Sequence, residues 1–341
     1  MIAQKDKKTV YHTFMLCNII ILCLIIFVSL SVGAIKIALV DLVNALFGRG
    51  EDSTVFVLQQ LRLPRTLLAM FIGATLATCG TILQGLFRNP LADPGIIGVS
   101  AGSALGAGIA IVLLPTGFFL GYGTNLIAIF AFLGGLFATL LVYQVGKTGY
   151  GTKMLLILLS GIAIGSLAFA FLGLLQFIAD DQALRTLTTW QLGSVANGDR
   201  YAVGLSAVVF FIVFYYFYRQ SLKLNAMLLG DLEARHLGID IEKIKKRCIY
   251  SVALAIGVSV SIAGMIGFIG LVVPHICRTI LGADHRTLLP ASALSGAILL
   301  LVADVLARVV AAPAEIPIGI LTALLGAPFF IGLLIKNKEK L

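Results

Sequence analysis

The stretch LRLPRTLLAMFIGATLATCGTILQGLFRNPLADPGIIGVSAGSALGAG, residues 61–108, decides what kind of fold this chain can adopt. Arg62 and Arg65 flank a proline and lead into an apolar run from Thr66 to Phe87. A polar break with Pro90 and Pro94 follows, and a second apolar run then carries Gly98, Gly102 and Gly106 at four-residue steps. About 20 mostly apolar residues is the length that crosses a bilayer as a helix. Glycines four apart share one helix face, where another backbone can approach closely. The stretch therefore reads as two packed membrane helices joined by a short polar turn.

The rest of the chain repeats this design. Its 341 residues are 59% hydrophobic and 12% charged, with a mean hydropathy of +1.04. Soluble globular chains are about half apolar and about a quarter charged. The expected fold class is an all-α polytopic membrane protein, with residues 1–341 as a single transmembrane domain. Apolar runs at 13–33, 66–87, 95–114, 125–145, 154–178, 202–218, 289–310 and 316–335 read as spans. Residues 248–281 are too long for one helix and tight for two. Gly264, Gly267, Gly270 and Pro274 permit a sharp reversal near the middle, which is tolerated where protein covers the interrupted backbone. Counted as two helices, one of them short, this region brings the total to about ten. The less apolar segment 36–60, with IKIALVDLVNALFG at helical spacing, is expected to lie along the membrane interface.

An even number of spans puts both termini on one side. With the termini in the cytoplasm, Lys36, Arg49, Arg62, Arg65, Arg185, Arg200 and Arg308 fall outside, and the other 18 of the 25 basic residues fall inside. That asymmetry follows the positive-inside rule, so the net charge of +9 reports orientation and not a nucleic-acid partner. The five cysteines form no CxxC pair and read as small core residues.

The longest inside loop, 219–247, contains LLGDLEARHLGIDIEKIKKR. Asp231 is placed to cap a short amphipathic helix, with Leu229, Leu232, His236 and Ile239 on one face and Gly238 as its stop. Such a helix is either a surface connector or a docking element.

Two motifs point to enzymatic chemistry and fail on context. GVSAG (98–102) matches GxSxG, but that pattern acts on a strand-to-helix turn, and Ser100 sits in an apolar helix. GKTGYGTK (146–153) has Thr152 where a phosphate-binding loop needs lysine, so no nucleotide site is visible. There is no HExxH and no Cys or His pair at metal-ligand spacing. Charge within spans is more informative, because each charge in lipid is costly unless paired or hydrated. Asp304 and Arg308, four apart near the outer end of the ninth span, can pair. Arg62, Arg65 and Arg308 together would make an outward positive patch suited to an acidic partner. The alternative is that they anchor the ends of their spans.

Six blocks resemble the FecCD family of bacterial ABC-importer permeases: LRLPRTL (61–67), LQGLFRNPLADPGIIGVSAG (83–102), LLGDLEARHLGI (228–239), GFIGLVVPHICR (267–278), DHRTLLPASAL (284–294) and EIPIGILTALLGAPFF (315–330). They keep the family order and cover nearly the whole chain. The resemblance implies a type II ABC importer permease fold in the bacterial cytoplasmic (inner) membrane. It also implies a homodimer surrounded by lipid, two cytoplasmic ABC ATPase subunits that carry ATP and Mg, and an extracytoplasmic substrate-binding protein. No cofactor is implied in this chain. The resemblance assigns Arg62, Arg65 and Arg308 to docking of the binding protein. It assigns Gly230, Glu233, Ala234, Leu237 and Gly238 to a coupling helix at the ATPase groove, and Thr152 to a gate at the inner start of the fifth span. Path-lining residues are expected mainly from the fifth and tenth spans. IADDQALRTLT (178–188) and APAEIPIG (312–319) resemble the haem permeases of the family. A ferric siderophore, vitamin B12 and an ion-coupled secondary mechanism are the alternatives.

Overall fold

The structure, a computed structural model, describes residues 2–33, 37–114, 125–149, 151–196 and 198–337. Lys36, Lys338 and Lys340, which entered the charge count above, lie outside the described residues. Among those described, seven helices are long and apolar enough to cross a membrane, and three shorter apolar helices accompany them. In chain order the ten are Ile2–Ser31, Leu63–Phe87, Val99–Leu113, Asn125–Gly146, Met154–Ile178, Arg200–Arg219, Ile241–Ala263, Ile269–Leu281, His285–Val309 and Ile318–Asn337. A helix satisfies every interior backbone donor and acceptor within itself, which is what a medium without water demands.

The region 248–281 resolves as expected into one long and one short helix, with the break at residues 264–268. Gly264 lies at φ +69° and its added Cβ would strike the carbonyl of Trp190, so glycine is required there. Phe268 also takes a left-handed φ of +68°, with its ring packed against Gly326. The seventh span begins at Ile241, well inside what the sequence presents as loop. Helices Ser221–Leu229 and Asp231–His236 fill most of the rest of that loop.

The chain forms two compact units. The first comprises residues 1–78, 194–214 and 267–341, and the second comprises residues 79–193 and 215–266. In the first unit, a Cβ on Gly73 would strike the Gly296 carbonyl and one on Gly296 would strike that of Gly73, so their helices meet backbone to backbone. In the second unit, Gly102 meets Gly134 and Gly106 meets the Phe130 carbonyl, which gives the glycine face of the third span its partner in the fourth. Gly98, at φ +84°, precedes the third span, so GVSAG opens that helix instead of lying within it. A 3-10 turn, Pro94–Ile97, comes before it, and a hydrolase elbow would need a strand there. Cys79, Cys248 and Cys277 are buried as expected, whereas Cys17 and Cys23 lie exposed on the first span.

From residue 37 on, the segment folds as helices Leu39–Leu46 and Asp52–Phe56, followed by a π-helical turn Val57–Arg62 that runs into the second span. Pro64 explains that turn. Proline has no N–H to donate to the residue four before it, and its ring clashes with that carbonyl, so the helix widens ahead of it. Leu42, Ala45 and Leu58 bury against Leu30 and Ile37, while Val40, Val43 and Phe47 stay exposed.

Candidate functional sites

The first site forms around the C-terminal end of the first span. The last carbonyls of a helix have no partner within it, and that end also carries partial negative charge. Arg62 Nη1 donates to the carbonyls of Leu30 (2.7 Å) and Ser31 (3.0 Å). Arg308 Nη1 donates to those of Ser29 and Val32, each at 3.1 Å, and its Nη2 donates to Ser29 Oγ at 2.9 Å. Two arginines from distant parts of the chain therefore cap one helix. Gly33 makes room for this, since a Cβ there would come within 2.9 Å of Arg62 Nη2.

Asp304 joins the set from the ninth span. Its Oδ1 accepts from Arg65 Nε at 2.8 Å, and Arg308 Nη2 lies 3.0 Å from its Oδ2, the i, i+4 pairing that the spacing predicts. Arg65 Nη1 also reaches Glu315 Oε1 at 2.9 Å. Asp304 is fully buried, and Arg62, Arg65 and Arg308 are only 6%, 9% and 8% exposed. The expected outward positive patch is thus mostly an internal lattice, because each guanidinium is spent on a carboxylate or on orphan carbonyls. Three guanidinium groups against two carboxylates still leave an excess of one positive charge. A cavity of about 280 Å³, lined by Gly33, Val57, Arg62, Arg65, Arg308 and Glu315 among others, opens onto it.

The second site is built on segment 219–247. Asp231 does not cap the helix Asp231–His236. Gly230, at φ +137°, occupies the cap position, and the Asp231 carboxylate turns to two cations instead. Its Oδ2 accepts from Lys245 Nζ at 2.7 Å, and its Oδ1 pairs with Arg88. Burial alone would raise this carboxyl, but the Lys245 ammonium and the Arg88 guanidinium hold it below the usual carboxylate range. Arg88 itself sits at φ +50° just past the second span and donates from Nε to the Met227 carbonyl at 2.7 Å.

On this short helix Ala234 is fully buried and forms the inward anchor, so its side chain does not face outward as expected of a groove contact. Glu233, Leu237 and Gly238 are exposed and Gly230 is half-buried. Leu229, Leu232 and Leu237 are 70%, 70% and 63% exposed, which leaves an uncovered apolar surface.

Thr152 lies in a two-residue hairpin, Lys147–Thr148 against Gly151–Thr152, directly before the fifth span. It is buried, and Glu242 Oε2 accepts from both its amide (2.9 Å) and its hydroxyl (2.7 Å). Residues 147–148 and 151–152 therefore pair as strands, which is not the loop-to-helix turn that cradles phosphate.

Lys245 and Glu242 escape a reading by motif. A signal for Lys245 was nevertheless present. Ile241, Ile244, Cys248, Ile249 and Val252 form the buried stripe of the seventh span, and Lys245 falls in register with them, whereas Lys243, Lys246 and Arg247 do not. The ion pair of Arg65 with Asp304 joins residues 239 apart and leaves no local trace.

Ten apolar helices among the described residues, with backbone-to-backbone glycine contacts, define a polytopic helical membrane protein. The chain belongs to the FecCD transport family of ABC importer permeases, matching it over residues 21–336. It is 41% identical over 325 residues to the hemin transport system permease protein HmuU of Yersinia pestis, covering 94% of this chain and 95% of that protein. It is 40% identical over 334 residues to the vitamin B12 import system permease protein BtuC of Salmonella paratyphi A, covering 98% of each. A solved structure described as an inward-facing conformation of a metal-chelate type ABC transporter superposes with a TM-score of 0.84. The two are 33% identical, and the match covers 95% of this chain and 99% of that one.

Proposed function

We propose that this permease moves an iron chelate, haem foremost, into the cytoplasm. In this reading it works as a homodimer in the bacterial cytoplasmic membrane with both termini inside, each copy a single permease domain. Two cytoplasmic ABC ATPases bind and hydrolyse ATP with Mg, and an extracytoplasmic protein delivers the substrate. This chain contributes no nucleotide site.

The observation that carries the proposal is the helix Asp231–His236. Leu229, Leu232 and Leu237 stand exposed around it while Ala234 anchors it from beneath. A short helix with uncovered leucines needs a partner to bury them, and in an ABC permease that partner is the ATPase groove. Gly230, Glu233, Leu237 and Gly238 are the proposed contacts, and Thr152, at the head of the fifth span, is the proposed gate residue. The arginine cluster supports delivery from outside, since its excess positive charge and open cavity suit an acidic docking surface. An ion-coupled mechanism finds little support. Asp304 is the fully buried carboxylate among the described residues, and it is held by two guanidinium groups.

The lean to haem rests on residues 178–188 and 312–319 and on the likeness to HmuU. The near-equal identity to BtuC keeps vitamin B12 as the second reading. The test is uptake into vesicles holding this permease with its ATPase and binding protein, offered haem, a ferric siderophore and cobalamin in competition. ATP-dependent uptake with haem as the strongest competitor is expected. Uptake that survives ATP depletion but collapses with the ion gradient would overturn the ATP-driven mechanism, and preference for cobalamin would overturn the substrate.

A further inference from the structure

Lys245 is the one lysine of the run 243–246 that is buried, at 4% exposure, and three elements converge on its ammonium group. Its Nζ donates to Asp231 Oδ2 of the short helix at 2.7 Å and to the Thr152 carbonyl of the hairpin at 3.0 Å. It also lies 3.7 Å from Glu242 Oε1 on its own helix. Glu242 completes the circuit by accepting the Thr152 amide and hydroxyl. A Cβ at Gly151, which has φ +114°, would come within 2.9 Å of Glu242 Oε1, so the hairpin backbone is fitted closely to this carboxylate.

We infer that Asp231, Lys245, Glu242 and Thr152 form a polar relay by which displacement of the Asp231–His236 helix is delivered to the head of the fifth span. This rests on the reading of that helix as the ATPase contact. Two features favour transmission over simple cohesion. The short helix is fixed from beneath by one fully buried apolar side chain, Ala234, so Asp231 provides a directional tie. The far end of the tie is main chain, because Lys245 bonds the Thr152 carbonyl and Glu242 bonds its amide. A pull on Asp231 therefore acts on the hairpin backbone and not on a side chain free to rotate away. Charged hydrogen bonds are short and strong, and the Lys245 ammonium at the centre of this link is buried, which suits such a tie. Lys245 and Glu242 are positioning residues in this scheme, and neither touches nucleotide or substrate.

The experiment uses the full complex of permease, ATPase and binding protein in proteoliposomes, with Lys245→Met and Glu242→Gln, reading ATP hydrolysis and solute uptake together. The relay predicts that Lys245→Met keeps ATP hydrolysis within about twofold of wild type while solute moved per ATP falls about tenfold or more. Glu242→Gln should fall less, because its amide oxygen can still accept from the Thr152 amide and hydroxyl as Oε2 does, and only the charge facing Lys245 is lost. Lys245→Arg, which keeps the charge, should restore part of the ratio. A second readout is amide exchange at residues 147–153 with and without trapped nucleotide. Wild type should respond to nucleotide, and Lys245→Met should not. Unaltered coupling and an unaltered exchange response in both variants would overturn the relay. So would hydrolysis and uptake falling in proportion to the amount of assembled complex, since that marks a merely structural role. Wild-type complex that shows no ATP-dependent uptake would instead overturn the importer reading and the relay with it.

Discussion

The arginine cluster and the 219–247 segment are both charged networks, yet they solve opposite problems. In the cluster, Arg62 and Arg308 end on carbonyls of a single helix terminus and Asp304 is held by two guanidinium groups, so each buried charge has several fixed partners. In the segment, Asp231 is partly exposed, its helix has six residues, and one ammonium group ties it to two other elements. The cluster has the form of a frame, whereas the segment has the form of a lever with leucines on its outer side. Elements that move are drawn from those with few buried apolar contacts, which describes the second network and not the first.

The sharpest way to break this comparison is Asp304→Ala. It leaves Arg65 and Arg308 without their shared carboxylate inside the protein, a change that typically costs about 3–5 kcal/mol. The unfolding midpoint of the purified protein in detergent should fall by on the order of 10 °C. A midpoint equal to wild type would remove the idea of a frame. Next in size is Leu232→Glu with Leu237→Glu. Both side chains are exposed, so unfolding should stay within about 0.5 kcal/mol of wild type. Capture of the ATPase subunit, measured by binding to the purified permease, should nevertheless weaken by about 30-fold or more, the loss typical of one central interface residue. Undiminished capture would mean that the lever touches nothing.

The smallest effect belongs to Glu315→Gln, at the one acid of the cluster whose side chain is about half exposed (46%). Losing an exposed partner should cost about 1 kcal/mol or less in stability. It would raise the excess charge by one, so an acidic binding protein should dock several-fold more tightly at low salt. High salt, which shortens the screening length to about 3 Å at 1 M, should erase the difference. Weaker docking would instead make Glu315 itself a contact.

Much of this was legible in the chain. Span positions followed from apolar runs because lipid imposes a minimum length. The two-helix reading of 248–281 followed from its glycines, which tolerate the backbone that a reversal needs. The short helix at 231–236 was visible from its own periodicity, and Asp304 with Arg308 from their spacing of four. What escaped was the use made of those residues. Asp231 reads as a cap, since a local hydrogen bond is the cheapest use of an aspartate before a helix, but two cations from elsewhere compete for it and win. Arg62, Arg65 and Arg308 read as an outward patch because nothing in their neighbourhoods shows the helix end and the carboxylates that absorb them.

By itself, then, the sequence determined that the chain spans the membrane about ten times, where most of the apolar spans lie, and to which family it belongs. Those properties depend on hydropathy, helix period and motif order, all local along the chain. Only the tertiary structure decided that Asp304 is shared between Arg65 and Arg308, and that Lys245 links Asp231 to Thr152. Those pairings join residues up to 239 positions apart. A charge removed from water takes whichever partner the packing brings within about 3 Å, and sequence distance has no part in that choice.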